Sequence, residues 1–173
     1  TLNEFALNEE KPDREHLKIV QISDLHIKAD FTYKNLDKVI KKVNEQNPDI
    51  VIFTGDLYDN YAIYRDDENI VTALQKIEAS YGKIAIWGNR DYGGGAERTY
   101  AAVMEDAGFT LLKNENWYIM DKGKRQSAQF RQVSTKIFLF FLLKNVGKQR
   151  LLVKKGKLCR NIDKIRKNCH NTS

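Results

Sequence analysis

Long apolar runs, a disulfide framework, a leader and the two commonest phosphate-binding signatures are all missing from these 173 residues. The longest apolar run, Ile137 to Leu143, is too short to span a bilayer. The two cysteines, Cys159 and Cys169, both lie near the end and read as plain thiols, not as a stapled scaffold. No secretory signal follows Thr1. The first residue is not methionine, so a removed upstream segment is compatible with the chain. No G-K-[ST] occurs, which excludes a P-loop nucleotide hydrolase. G-x-G-x-x-G is also absent, and Gly93-Gly94-Gly95 does not supply it.

Acidic residues are scarce at one end only. Residues 1–120 hold 14 Lys/Arg and 21 Asp/Glu, whereas residues 121–173 hold 15 Lys/Arg and 2 Asp/Glu. The pI of about 9.2 therefore describes the tail, and it does not mark the whole chain as a nucleic-acid binder. The length suits one domain with a real core. Hydrophobic residues at 42% and charged residues at 30% are ordinary for a globular protein.

What is present is an alternation. The first 16 residues are polar and read as an arm. Lys18 to Ser23 reads as a strand. Leu36, Val39, Ile40 and Val43 follow at helical spacing, and Asn47-Pro48 ends that helix. Ile50 to Thr54 is a β-branched and aromatic run of the kind buried on both faces of a parallel sheet. Ile70, Leu74 and Ile77 mark a second helix, stopped at Tyr81-Gly82. Lys83 to Trp87 is a third strand, and Ala96 to Ala107 a third helix. Phe109 to Leu112 and Trp117 to Met120 read as short strands, with Asp121 to Lys124 as a hairpin turn. This order predicts an α/β fold with right-handed crossovers. Beyond Met120 no fold is legible.

A polar cluster follows each of the first three strands: Asp24-Leu25-His26, then Gly55-Asp56, then Gly88-Asn89-Arg90-Asp91. Ligands bind beyond the carboxyl ends of parallel strands, so the three clusters are expected to meet at one edge. In extended chain, Asp24 and His26 would point the same way and grip one cation. Carboxylate with imidazole suits Mn, Fe or Zn better than Ca or Mg. Asp56 can bridge two ions, and Asn89 offers a neutral oxygen. Each cluster alone is an ordinary turn; their ordered repetition carries the signal. Gly93 to Gly95 lead into a helix whose first amides can hold an anion, or form a plain flexible turn.

"SDLH", "PDIVIFTGDLYDN" and "IWGNRDY", in that order, resemble the calcineurin-like metallophosphoesterases and their pattern D-x-H, G-D, G-N-H-[DE], then a later His and a G-H-x-H. The spacing is similar to that of a bacterial branch with soluble and membrane-associated members, and the likeness covers roughly residues 17–120. It implies the β-α-β-α-β half of an α-β-β-α sandwich and a phosphohydrolase acting on a phosphomonoester or phosphodiester. It also implies two divalent ions (Mn, Fe or Zn) and a bridging hydroxide that attacks phosphorus in line. Carried over, Asp24 and His26 bind the first ion, Asp56 bridges, and Asn89 binds the second. Asn89, Arg90 and Asp91 form the catalytic group, with Arg90 also holding substrate. The bacterial cytoplasm or the cytoplasmic membrane is the implied location. Nucleotides and lipid pyrophosphates both fit so broad a substrate class.

Two departures shape the expectation. Arg90 stands where the family pattern has histidine. Arginine keeps its proton near neutral pH, so it stabilises phosphate charge but cannot act as an acid. A surface ion pair of Arg90 with Asp91 is the plainer alternative. Second, no later G-H-x-H is present, and after His26 the next histidine is His170. Three ligands of the first ion and two of the second remain. A catalytic ion normally keeps at least three protein ligands, so weak activity or none is expected. The expected division is a polar arm (1–16), an incomplete phosphoesterase domain (17–124) and a basic tail (125–173), the last from a frameshift or a truncated gene. Without a family-like second half, one sheet face is expected to expose apolar surface. The tail suits an alternative role as a module that binds nucleic acid or an anionic membrane.

Overall fold

The computed structural model describes residues 2–7, 17–93, 96–113, 116–121, 124–133, 136–140 and 149–154. Its centre is a parallel sheet of β2 (Leu17–Ile22), β3 (Ile50–Phe53), β4 (Lys83–Ala85) and β5 (Thr110–Leu111), each hydrogen-bonded to the next. Three helices connect these strands: α1 (Tyr33–Asn44), α2 (Asp67–Gln75) and α3 (Ala96–Asp106). The predicted alternation is therefore found, with element ends moved by a residue or two. Ile77 lies past the end of α2 but is still buried.

Helix α1 shows why the segment folds as it does. The Asn35 side chain accepts from the Thr32 N–H at 3.2 Å and satisfies a free donor at the helix start. Lys41 and Lys42 sit in the last turn, where cations favour the dipole. Leu36, Val39, Ile40 and Val43 are all buried, each contributing about 1.5–3 kcal/mol. They belong to one buried cluster with Val20 and Ile22 of β2, Val51 and Phe53 of β3, and apolar residues of α2 and α3. Lys83 ties the helix ends to β4, its Nζ donating to the Ala107 carbonyl at 2.6 Å and the Leu74 carbonyl at 3.4 Å. Burial lowers its pKa.

The opposite sheet face carries Ile19, Gln21, Ile50, Ile52, Thr54, Ile84 and Ile86, and it too is buried. The expected exposed apolar face is not found at these residues. On that face the buried Gln21 Nε2 donates to the Thr54 hydroxyl at 2.9 Å, while Gln21 Oε1 has no partner among the described residues.

Outside the α/β core the backbone forms further strands. β1 (Leu2–Leu7), within the expected polar arm, pairs antiparallel with β9 (Gln149–Lys154), and β9 pairs parallel with β2. The sheet order is β1-β9-β2-β3-β4-β5. β6 (Asn116–Asp121), β7 (Lys124–Val133) and β8 (Lys136–Phe140) form a separate antiparallel sheet. The predicted hairpin is found as the Asp121 to Lys124 pairing of β6 and β7. The region with no legible fold thus contains strands, and an arm segment belongs to the main sheet. A short apolar stretch such as Leu151-Leu152-Val153 has too little pattern to announce a strand whose partners are distant in sequence. Among the described residues no helix is long and apolar enough to cross a membrane.

Candidate metal and phosphate site

The three polar clusters follow β2, β3 and β4, and the structure brings them to one edge. The first two are joined main chain to main chain. The Asp24 N–H donates to the Gly55 carbonyl at 3.1 Å, His26 N–H to Asp56 at 3.1 Å and Ile27 N–H to Leu57 at 2.7 Å. The Asp59 N–H returns to the Ile27 carbonyl at 3.1 Å. Within this paired stretch Asp24, His26 and Asp56 have φ of 54°, 47° and 58°. Left-handed backbone is uncommon for residues with a side chain and gathers at functional sites. This corrects the expected geometry: Asp24 and His26 do not converge by strand alternation. Two left-handed residues turn them toward Asp56.

Ligand atoms of Asp24, His26 and Asp56 all lie within 4.8 Å of one another. His26 Nε2 is 3.8 Å from Asp24 Oδ1. Two carboxylates and an imidazole at this spacing are a donor set that suits a divalent transition ion. The backbone already holds the set in place, so the residues fit the first ion that the fold implies. The second has less support: beyond Asp56 its predicted ligand is Asn89. That residue is exposed on the third loop, between Gly88 and Arg90.

Glycine is required where the loops cross. A Cβ on Gly55, whose φ is 88°, would fall on the Gly88 nitrogen and 2.7 Å from the Trp87 carbonyl carbon. A Cβ on Gly88 would overlap Asp56 Oδ1 and stand 2.5 Å from the Asp56 nitrogen. The second and third loops therefore touch backbone to backbone, which a side chain would prevent.

Asp91, expected in the catalytic group, is buried at the junction of the second and third loops. It is 1% exposed. One carboxylate oxygen accepts from the N–H groups of Asp56 and Gly88, both at 2.7 Å; the other accepts from Leu57 N–H at 3.1 Å. Asp91 thus pins the third loop to the second and forms no surface ion pair with Arg90. Burial, and less strongly the Asp56 charge, push its carboxyl up to about 6, against the pull of the three amides. The Arg90 N–H closes the joint by donating to Asp56 Oδ1 at 2.8 Å. The Arg90 guanidinium is exposed, with Nη1 3.4 Å from the Asp59 carbonyl. Tyr92 stacks on Trp87 at 6.1 Å between ring centres and covers the flank of this loop.

The tyrosines of the long second loop are turned toward α2. Tyr58 donates to Asp67, Tyr61 to Asp67 at 2.8 Å, and Tyr64 to Asp66 at 3.3 Å. Burial, then the Asp67 bond, raises the Tyr58 pKa far above its usual value. Gly94 and Gly95, read as leading an anion-binding helix start, lie outside the described residues. Asp59 stands beside the cluster, at a place that the sequence alone did not single out. Its Oδ1 stands 3.6 Å from His26 Nδ1. The only sequence signal is a carboxylate three positions after Asp56 in a polar loop.

The calcineurin-like phosphoesterase family pattern matches residues 17–173. The uncharacterized metallophosphoesterase YkuE of Bacillus subtilis is 41% identical over 97 residues, which are 56% of this chain and 34% of that protein. The uncharacterized metallophosphoesterase Cj0846 of Campylobacter jejuni is 32% identical over 103 residues, 60% of this chain and 27% of that protein. The UDP-2,3-diacylglucosamine pyrophosphatase LpxG of Chlamydia trachomatis is 38% identical over 76 residues, 44% of this chain and 23% of that protein. The chain thus spans about a third or less of each of these curated relatives.

Proposed function

Because this chain belongs to the calcineurin-like phosphoesterase family, we propose that it hydrolyses phosphate esters with the help of divalent ions at the edge formed by the loops after β2, β3 and β4. The observation that carries this reading is the convergence of Asp24, His26 and Asp56 within 4.8 Å on backbone that is left-handed at all three residues. Divalent ions in such a site supply Lewis-acid charge and lower the pKa of water.

The chain's own residues divide the remaining work. Asp24 and His26 would hold the first ion, Asp56 would be shared between the two, and Asn89 would supply an oxygen to the second. Arg90 binds a phosphoryl oxygen through charge-assisted hydrogen bonds and holds the developing charge in place. It does not donate a proton, so the leaving oxygen must depart with little help. Good leaving groups are therefore preferred. Asp91 acts at a distance by fixing the loop that carries Asn89 and Arg90. Turnover by these 173 residues is low, because no G-H-x-H is present to complete either ligand set.

The substrate is a phosphomonoester, a phosphodiester or a pyrophosphate. The similarity to LpxG, a pyrophosphatase by name, supports including the last of these. The test is release of an aryl alcohol from an aryl phosphate and an aryl phosphodiester with Mn²⁺ added, compared with Asp56→Ala. Mn²⁺-dependent turnover lost in Asp56→Ala is expected; equal rates in both chains would refute catalysis at this site.

A further inference from the structure

His26 presents its two ring nitrogens to two different carboxylates. Nε2 lies 3.8 Å from Asp24 Oδ1, on the side of the ligand cluster. Nδ1 lies 3.6 Å from Asp59 Oδ1. The Nδ1 atom is buried and makes no hydrogen bond among the described residues, although a buried polar nitrogen is normally satisfied. Asp59 itself does not belong to the cluster of Asp24, His26 and Asp56.

We propose that Asp59 is a positioning residue for His26: its carboxylate selects the tautomer with hydrogen on Nδ1 and leaves the Nε2 lone pair for the cation. A ligating histidine commonly gives its other ring N–H to a carboxylate, which fixes the ring and raises the basicity of the ligating nitrogen. An approach of a few tenths of an ångström to just over half an ångström brings the present 3.6 Å separation to hydrogen-bond length. The surroundings favour that closure. The Asp59 N–H is held by the Ile27 carbonyl at 3.1 Å, and Ile27 bridges Tyr58 in parallel pairing. Asp59 is therefore fixed opposite His26 by main chain. Its carbonyl also accepts from Arg90 Nη1 at 3.4 Å, so one residue contacts both a metal-ligand candidate and the phosphate-binding candidate. A displaced Asp59 would disturb both.

This inference rests on the metal-site reading above, and the experiment separates the two. Nitrogen-15 NMR of the His26 ring is recorded on the metal-free full chain at a pH where the imidazole is neutral. The same is done for Asp59→Ala and for Asp59→Asn, whose side-chain carbonyl still accepts a hydrogen bond. The native chain is expected to carry hydrogen on Nδ1, Asp59→Asn to keep it, and Asp59→Ala to shift toward hydrogen on Nε2. The native and Asp59→Ala chains showing the same tautomer would overturn the proposal. Mn²⁺ affinity, read by the loss of the free-ion paramagnetic resonance signal, should fall roughly 10- to 100-fold in Asp59→Ala and less in Asp59→Asn. A native chain that binds no Mn²⁺ yet shows the tautomer shift would refute the metal reading while supporting the orientation of His26.

Discussion

The loops after β2 and β3 differ from the loop after β4 in how they are held. The first two are laced together by main-chain hydrogen bonds from Asp24 to Asp59, and they carry every residue of the Asp24, His26 and Asp56 cluster. The third meets them through the Asp91 carboxylate and the Arg90 N–H, packed at the Gly55 and Gly88 crossing. The ligand cluster is thus built into backbone, whereas the loop of Asn89 and Arg90 is joined to it through side-chain acceptors, chiefly the buried Asp91 carboxylate. A change in the pin should uncouple phosphate binding from metal binding; a change at the crossing should damage both.

The largest effect is expected at that crossing. Gly88→Ala places a Cβ on Asp56 Oδ1 and close to the Asp56 nitrogen. It should cost more than about 4 kcal/mol of stability, an exceptional value for one methyl group, measured as the shift of the urea midpoint. A loss under about 1 kcal/mol would mean that the two loops are free to part. Asp91→Ala comes next. It leaves three amides without their acceptor, at about 1–3 kcal/mol for each that water does not reach. Urea unfolding should show a loss of about 3 kcal/mol. Mn²⁺ binding should weaken far less than in Asp56→Ala, because the ligand cluster lies on the other two loops.

The pin should also make stability depend on pH. The folded Asp91 carboxyl is raised from the ordinary 3.8 to about 6, so between those values the folded chain binds more proton than the unfolded one. Its contribution is fully present below about pH 4 and is lost as pH rises through about 6, by at most about 3 kcal/mol. In chelator-treated protein, the stability difference between the native chain and Asp91→Asn should shift across that window. A flat difference would show that the amides, not burial, dominate. The smallest effect belongs to Arg90→Lys, which keeps the charge but loses the fork. A roughly 10-fold fall in kcat/KM, about 1.4 kcal/mol, is expected with Mn²⁺ affinity unchanged. A matching loss of Mn²⁺ binding would place Arg90 among the residues that hold the ion.

Much of this was legible in the chain itself, and the rest was hidden for identifiable reasons. Ile50 to Phe53 announced a strand buried on both faces because β-branched runs have little other use, and the apolar spacing of Leu36 to Val43 announced α1. The site's edge followed from polar clusters that each end such a strand. The left-handed turns at Asp24, His26 and Asp56 were invisible, since nothing in the identities Asp and His dictates a positive φ. The pinning role of Asp91 was invisible because its three donors lie on two loops, as much as 35 positions away. Asp59 was missed because its place opposite His26 depends on the Ile27 and Tyr58 bridge. β1 and β9 were missed because they pair across nearly the whole length of the chain.

The central claim is that Asp24, His26 and Asp56 form one preorganised site for a divalent ion. Its most direct test is a Mn²⁺ titration of the full chain and of Asp56→Ala, followed by the paramagnetic resonance signal of the free ion. The account predicts saturable binding by the native chain and its loss in Asp56→Ala, with the fold of the variant intact by circular dichroism. Binding of equal strength by both chains, or by neither, would contradict it.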